Sequence, residues 1–191
     1  IHKMFGAGVA DVVGARRCLE RAIGLPDCGV FHAWQAYLGA FALDPMGSVG
    51  GGAGHRDLCD ETREHARRAL ELAPQNPLTL ALLAHAHGFV LRDLDEAGRL
   101  LSMARSSGAD HIMLHDSEAL HALYTGDLAR AHRSAQRAEE LGRFLPYRYC
   151  FETTLLMLEA LRGDFARAIR HGEASIRHRG DGSGSAYPPT L

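Results

Sequence analysis

A short phrase of small residues recurs along this chain. Its clearest form, Ala131-x3-Ala135-x2-Ala138, lies within His111 to Leu141, which reads as two helices folded back through the turn Tyr124-Thr125-Gly126-Asp127. In the second half of that stretch, small or apolar residues stand at 128, 131, 135, 138 and 141, steps that keep one helix face dry. A face made largely of alanine lets another helix come close but buries little by itself, so such a helix needs neighbours. The chain supplies them: Ala15-x3-Leu19-x2-Ala22, Ala66-x2-Ala69, Ala97-x3-Leu101-x2-Ala104 and Ala168-x3-Gly172-x2-Ser175 repeat the phrase. The last small residues of these phrases fall roughly 34 to 37 residues apart, after one longer first interval, and a period of that length belongs to an array of helical hairpins.

Composition agrees with helix-on-helix packing. The chain is 46% hydrophobic but only 7% aromatic, so its interior rests on Ala, Leu and Met rather than on the aromatic and β-branched residues that fill a sandwich. No window alternates as a strand would. Helical periodicity runs from Asp11 to Ile23, Val30 to Leu43, Asp57 to Leu72, Leu78 to Leu91, Asp93 to Ser106, His111 to Tyr124, Asp127 to Leu141, Tyr147 to Arg162 and Asp164 to His178. The second of these carries the heaviest aromatic stripe, Trp34, Tyr37, Leu38 and Phe41. The reading is therefore a lead-in over 1–10, a helical repeat domain over 11–178 with a Gly-rich insertion at 44–56, and a tail or truncated next helix over 179–191. The insertion lacks the lysine and Ser/Thr of a phosphate-cradling loop, so it reads as a loop between helices. The ends, without an initial methionine or an obvious stop, suggest a piece of a longer protein.

Two local signatures accompany the period. Ala66-Arg67-Arg68-Ala69-Leu70-Glu71-Leu72-Ala73-Pro74-Gln75-Asn76-Pro77 closes one hairpin and opens the next, and Gly126-Asp127-Leu128-Ala129-Arg130-Ala131 and Gly163-Asp164-Phe165-Ala166-Arg167-Ala168 turn inside a hairpin. Together with the spacing of small residues, these resemble the tetratricopeptide repeat (TPR) family over roughly Val12 to His178. The pattern is broken at residues 88 to 94, where one residue is added, at Arg143, where the break is delayed to Pro146, and near Trp34, where two registers one residue apart fit the repeat. The resemblance implies a right-handed α-solenoid of four to five antiparallel hairpins whose first helices line an inner wall. In its Ala-, Leu- and Arg-rich style it is most similar to the arrays attached to bacterial winged-helix transcriptional activators or nucleotide cyclases.

Chemistry is sparse by comparison. A net charge of -2 gives no bulk attraction for nucleic acid or an anionic membrane. The Leu78 to Leu91 run is too short to span a bilayer and is interrupted by His85 and His87. Cys18, Cys28, Cys59 and Cys150 form no CxxC pair, which fits thiols in a reducing, cytoplasmic setting. Among the 12 histidines, His111 and His115 share a helix face beside Asp116, but a zinc site needs three or four converging ligands and no HExxH occurs. The serines lack a nucleophile elbow, and Arg167, Arg170, His171, Arg177, His178 and Arg179 read as cations near a helix C-terminus.

What remains is the inner wall. The phase of the small residues places His85, Asp116, Leu120, Tyr124, Thr153 and Met157 on it. That mixture suits a peptide, a helix or the opposite subunit of a homodimer. The expectation is a non-catalytic protein-interaction or regulatory module with no cofactor, no metal, no membrane contact and no direct nucleic-acid contact. The competing expectation is a small-ligand sensor or enzyme in which His115, Asp116 and His121 converge in a closed pocket.

Overall fold

The computed structural model describes residues 9–25, 28–43, 53–145 and 148–178, and all of them are helical or in short turns. Of the expected lead-in over 1–10, residues 1–8 lie outside the described residues, as do the 44–52 part of the insertion and the tail over 179–191, while residues 9 and 10 already belong to the first helix. The elements are α1 (Val9–Ala22), α2 (Gly29–Leu43), α3 (Ala53–Leu72), α4 (Pro77–Ala86), α5 (Leu94–Ser106), α6 (Ile112–Tyr124), α7 (Leu128–Gly142), α8 (Tyr149–Leu161) and α9 (Phe165–His178). A π-helical turn, His87–Leu91, continues α4. Among the described residues no helix is long and apolar enough to cross a membrane.

Helix starts are set by local chemistry. Pro77 occupies the first turn of α4, where its missing N–H is no loss, and the Asn76 side chain accepts from the Leu78 and Thr79 N–H groups. Asp93, Asp127 and Asp164 each accept a backbone N–H three residues on, from Glu96, Arg130 and Arg167, and so cap α5, α7 and α9. The residue before each aspartate has positive φ: 58° at Arg92, 85° at Gly126 and 79° at Gly163. Glycine takes this left-handed geometry without strain, so Arg92 holds the same turn under a steric penalty.

Most of the helix starts and ends fall within one or two residues of those read in the sequence; the start of α3 and the region of the extra residue need explanation. α3 begins at Ala53 rather than Asp57, because nothing between 53 and 56 stops a helix, and a single glycine costs only about 1 kcal/mol. The extra residue in 88–94 is absorbed by the π turn, whose wider hydrogen-bonding ring accommodates one added position without ending the helix.

The helices pack in neighbouring pairs, α2 with α3, α4 with α5, α6 with α7 and α8 with α9. The first helices also touch in succession, α2 with α4, α4 with α6 and α6 with α8, so they form one continuous layer. Each second helix contributes the small residues of the repeated phrase to the contact. Ala69, Ala97, Ala104, Ala131 and Ala138 are completely buried. α4 is enclosed by α2, α5 and α6 and is buried nearly all round, which explains why its sequence is apolar on every face.

Candidate functional site

The layer of first helices carries a cavity of about 210 Å³, to which α2, α4 with its π turn, α6 and α8 contribute. α6 supplies Asp116, Leu120 and Tyr124 on successive turns, together with Leu123. α8 supplies Cys150, Thr153 and Met157 at the same periodicity, with Thr154 beside them. α2 adds Tyr37 and Ala40, and His85 of α4 is followed one turn later by Phe89 from the π turn. No residue of α3, α5, α7 or α9 lines it. The structure thus brings His85, Asp116, Leu120, Tyr124, Thr153 and Met157 to one wall.

Sequence reasoning did not assign Tyr37, Ala40, Phe89, Leu123, Cys150 and Thr154 to this wall. Tyr37 was visible as part of the aromatic stripe of α2, but the register ambiguity near Trp34 concealed its direction. Phe89 depends on the π turn, and no spacing rule places a residue there before the turn is located.

The rings form a connected row. Trp34 meets Tyr37 edge-on at 5.3 Å, Tyr37 lies 4.6 Å from the His85 ring, His85 stacks on Phe89 at 5.8 Å, and Phe89 stands 6.5 Å from Tyr124. These separations are those of favourable aromatic contacts and fix the wall's shape.

The electrostatics are unusual at two positions. Asp116 is only 6% exposed, and burial raises its carboxyl to about 7 from an ordinary 3.8. Burial lowers His85 to about 4, and its Nδ1 has no hydrogen-bond partner among the described residues. The other three buried acids are compensated. Glu118 is held by Arg105 and lies 3.3 Å from the Ser134 hydroxyl; Glu159 lies 2.7 Å from His132 Nε2; Glu152 lies 2.6 Å from His171 Nδ1. Asp116 alone among the described buried acids makes no such pair.

Thr153 reaches the wall with its hydroxyl already engaged, donating to the Tyr149 carbonyl at 2.9 Å and lying 3.0 Å from Ser175 Oγ. His115, Asp116 and His121 do not line the cavity together. His115 Nε2 lies 2.6 Å from Asp110 Oδ1 in the turn that leads into its own helix, and His121 Nε2 bonds the Leu94 carbonyl of α5 at 3.0 Å, so each ring is engaged elsewhere. His111 caps α6, its Nδ1 accepting from the Leu114 N–H. Among the described residues no group of three or more His, Cys, Asp or Glu is arranged to hold a metal.

A second, open depression of about 320 Å³ lies between α7, α8 and α9, with His132, Glu159, Arg167, Arg170 and His171 on its rim. Several of its charges neutralise one another: Arg167 is 3.3 Å from Asp164 and 3.8 Å from Glu159, and His171 holds Glu152. Along α9, Arg177 is 3.7 Å from Glu173, so part of the arginine-rich end is paired within the helix. Comparison with family models, with curated proteins and with solved structures finds no match.

Proposed function

We propose that this chain is a non-catalytic recognition module, a TPR-like α-solenoid whose first-helix face docks a segment of a protein partner and seats one side chain of that segment in the cavity. A single observation carries the reading: four successive first helices each direct side chains from adjoining turns into one recess. Such convergence is how a stack of hairpins builds a continuous binding wall. The lining is mostly apolar, with Leu120, Leu123, Met157 and the aromatic row, and a few polar groups fix orientation, as in sites that anchor a side chain. The engaged threonine hydroxyl and the dispersed histidines favour binding over chemistry.

Peptides selected from a random displayed library on the intact chain test this. Their affinity should fall at least tenfold in Tyr124→Ala and Met157→Ala variants, with the helical circular-dichroism signal unchanged. Peptides whose binding ignores both substitutions would place recognition on another face.

A further inference from the structure

The cavity combines a buried carboxyl that no cation satisfies with a row of aromatic rings and an apolar floor. Every other buried acid among the described residues has a partner, so the protein ordinarily supplies one. A carboxylate taken out of water without compensation is costly, and it is relieved either by taking up a proton or by a positive charge delivered with the ligand. The rings of Tyr37, Phe89 and Tyr124 line the same recess, and Phe89 is already engaged by the stacked His85 ring and by the Arg92 guanidinium 5.6 Å from its centre, which leaves the two tyrosines for an incoming group. Rings of this kind attract a desolvated cation through their quadrupole. A recess of about 210 Å³ is larger than the roughly 150 Å³ cavity that accommodates benzene, so four methylenes and a compact head fit within it. Guanidinium carries five N–H donors fixed in one plane, whereas the lining holds a single carboxylate, Asp116, beside the lone pairs of Thr153 and Thr154, whose protons go to the Tyr149 and Cys150 carbonyls. A single carboxylate therefore suits an ammonium better.

We infer that the cavity is a subsite for an alkylammonium group, the end of a lysine side chain carried by the partner segment, with Asp116 as its counter-ion. The inference rests on the reading of this face as a docking surface, and it adds the chemistry that the pocket selects. The lysine stem lies along Leu120 and Met157, and the head reaches Asp116 beside the rings. The titratable groups sharing the wall are Tyr37 from α2, His85 from α4, Tyr124 from α6 and Cys150 from α8; α5 and α7, also packed on α6, contribute none, and no described arginine or lysine lines the cavity. With Asp116 protonated below about 7, ammonium and proton compete for one carboxyl, and binding strengthens as pH rises.

The test is calorimetric titration of the whole chain with n-butylammonium and with the neutral 1-pentanol, in amine-free buffer. The expected result is a preference of at least tenfold for n-butylammonium at pH 8, a roughly tenfold weakening of its binding at pH 6, and loss of the preference in Asp116→Asn. Equal or tighter binding of 1-pentanol by the unmodified chain overturns the inference without reliance on any variant, as does a preference that survives in Asp116→Asn. Peptides selected on this face should carry a lysine whose replacement by norleucine costs tenfold in the parent chain and nothing in Asp116→Asn. Peptides anchored in the cavity without lysine overturn the lysine assignment and leave the docking surface standing. Binding of n-butylammonium with no peptide captured on this face overturns the lysine assignment and the docking reading together.

Discussion

Asp116 and His85 are opposed in their response to pH, and each has a measurable consequence for stability. Asp116 titrates near 7 when folded and near 3.8 when exposed. Between those values the folded chain holds a proton that the unfolded chain has released, so stability falls as pH rises from about 4 to about 7, by roughly 4 kcal/mol in all. His85, lowered from 6.5 to about 4, works the other way: stability is lost as pH falls across that window, because only the unfolded chain takes up the proton. From about pH 4 to 6.5 the two slopes offset each other. Replacing Asp116 with Asn should therefore stabilise the chain increasingly as pH rises, from little at pH 4 to about 4 kcal/mol at pH 8, in urea unfolding relative to the parent. His85→Leu should stabilise increasingly toward acid. A pH-independent difference in either case would show that burial of these groups had been misjudged. Asp116 was legible in the sequence as an inner-wall residue, because its position follows from the phase of small residues. Its lack of a partner was not, since that depends on which side chains four separate helices bring alongside it.

At the scale of the element, the three turns ending in aspartate offer the cleanest comparison. Gly126 and Gly163 adopt positive φ without a Cβ, whereas Arg92 adopts it with one and lays its guanidinium 5.6 Å from the Phe89 ring centre. Gly126→Ala should cost at least about 1 kcal/mol and lower the thermal midpoint by about 2–4 °C. Arg92→Gly should relieve strain but give up the contact with Phe89, leaving a change smaller in magnitude than that of Gly126→Ala. Thermal denaturation followed at 222 nm reads both, and equal losses from the two substitutions would refute the strain argument. These turns could be read from sequence because glycine followed by a capping aspartate is local chemistry. The π turn at His87–Leu91 could be located only to within several residues. Spacing reveals that one residue is surplus, but packing against α2, α3 and α5 determines where the helix widens. The start of α3 was misplaced for a related reason: the acidic residues Asp57, Asp60 and Glu61 resemble a first turn, yet they lie beyond it, and helix propagates backward until something interrupts it.

At the scale of the molecule, the described residues form helices joined by short turns and packed in neighbouring pairs, as the period of small residues predicts, and the first helices share one layer. The described surface also offers a competing apolar face on α9, where Phe165, Ile169 and Ile176 are each more than half exposed at helical spacing. A stack of hairpins leaves such a face where a further helix would pack, whereas the cavity is lined from the first helices and by no residue of α9. Mapping backbone-amide shifts of the isotope-labelled chain during titration with a selected peptide separates the two. The account predicts shifts concentrated around Tyr37, His85, Asp116, Tyr124 and Met157 on the first helices. Shifts confined to Phe165, Ile169 and Ile176 would contradict it.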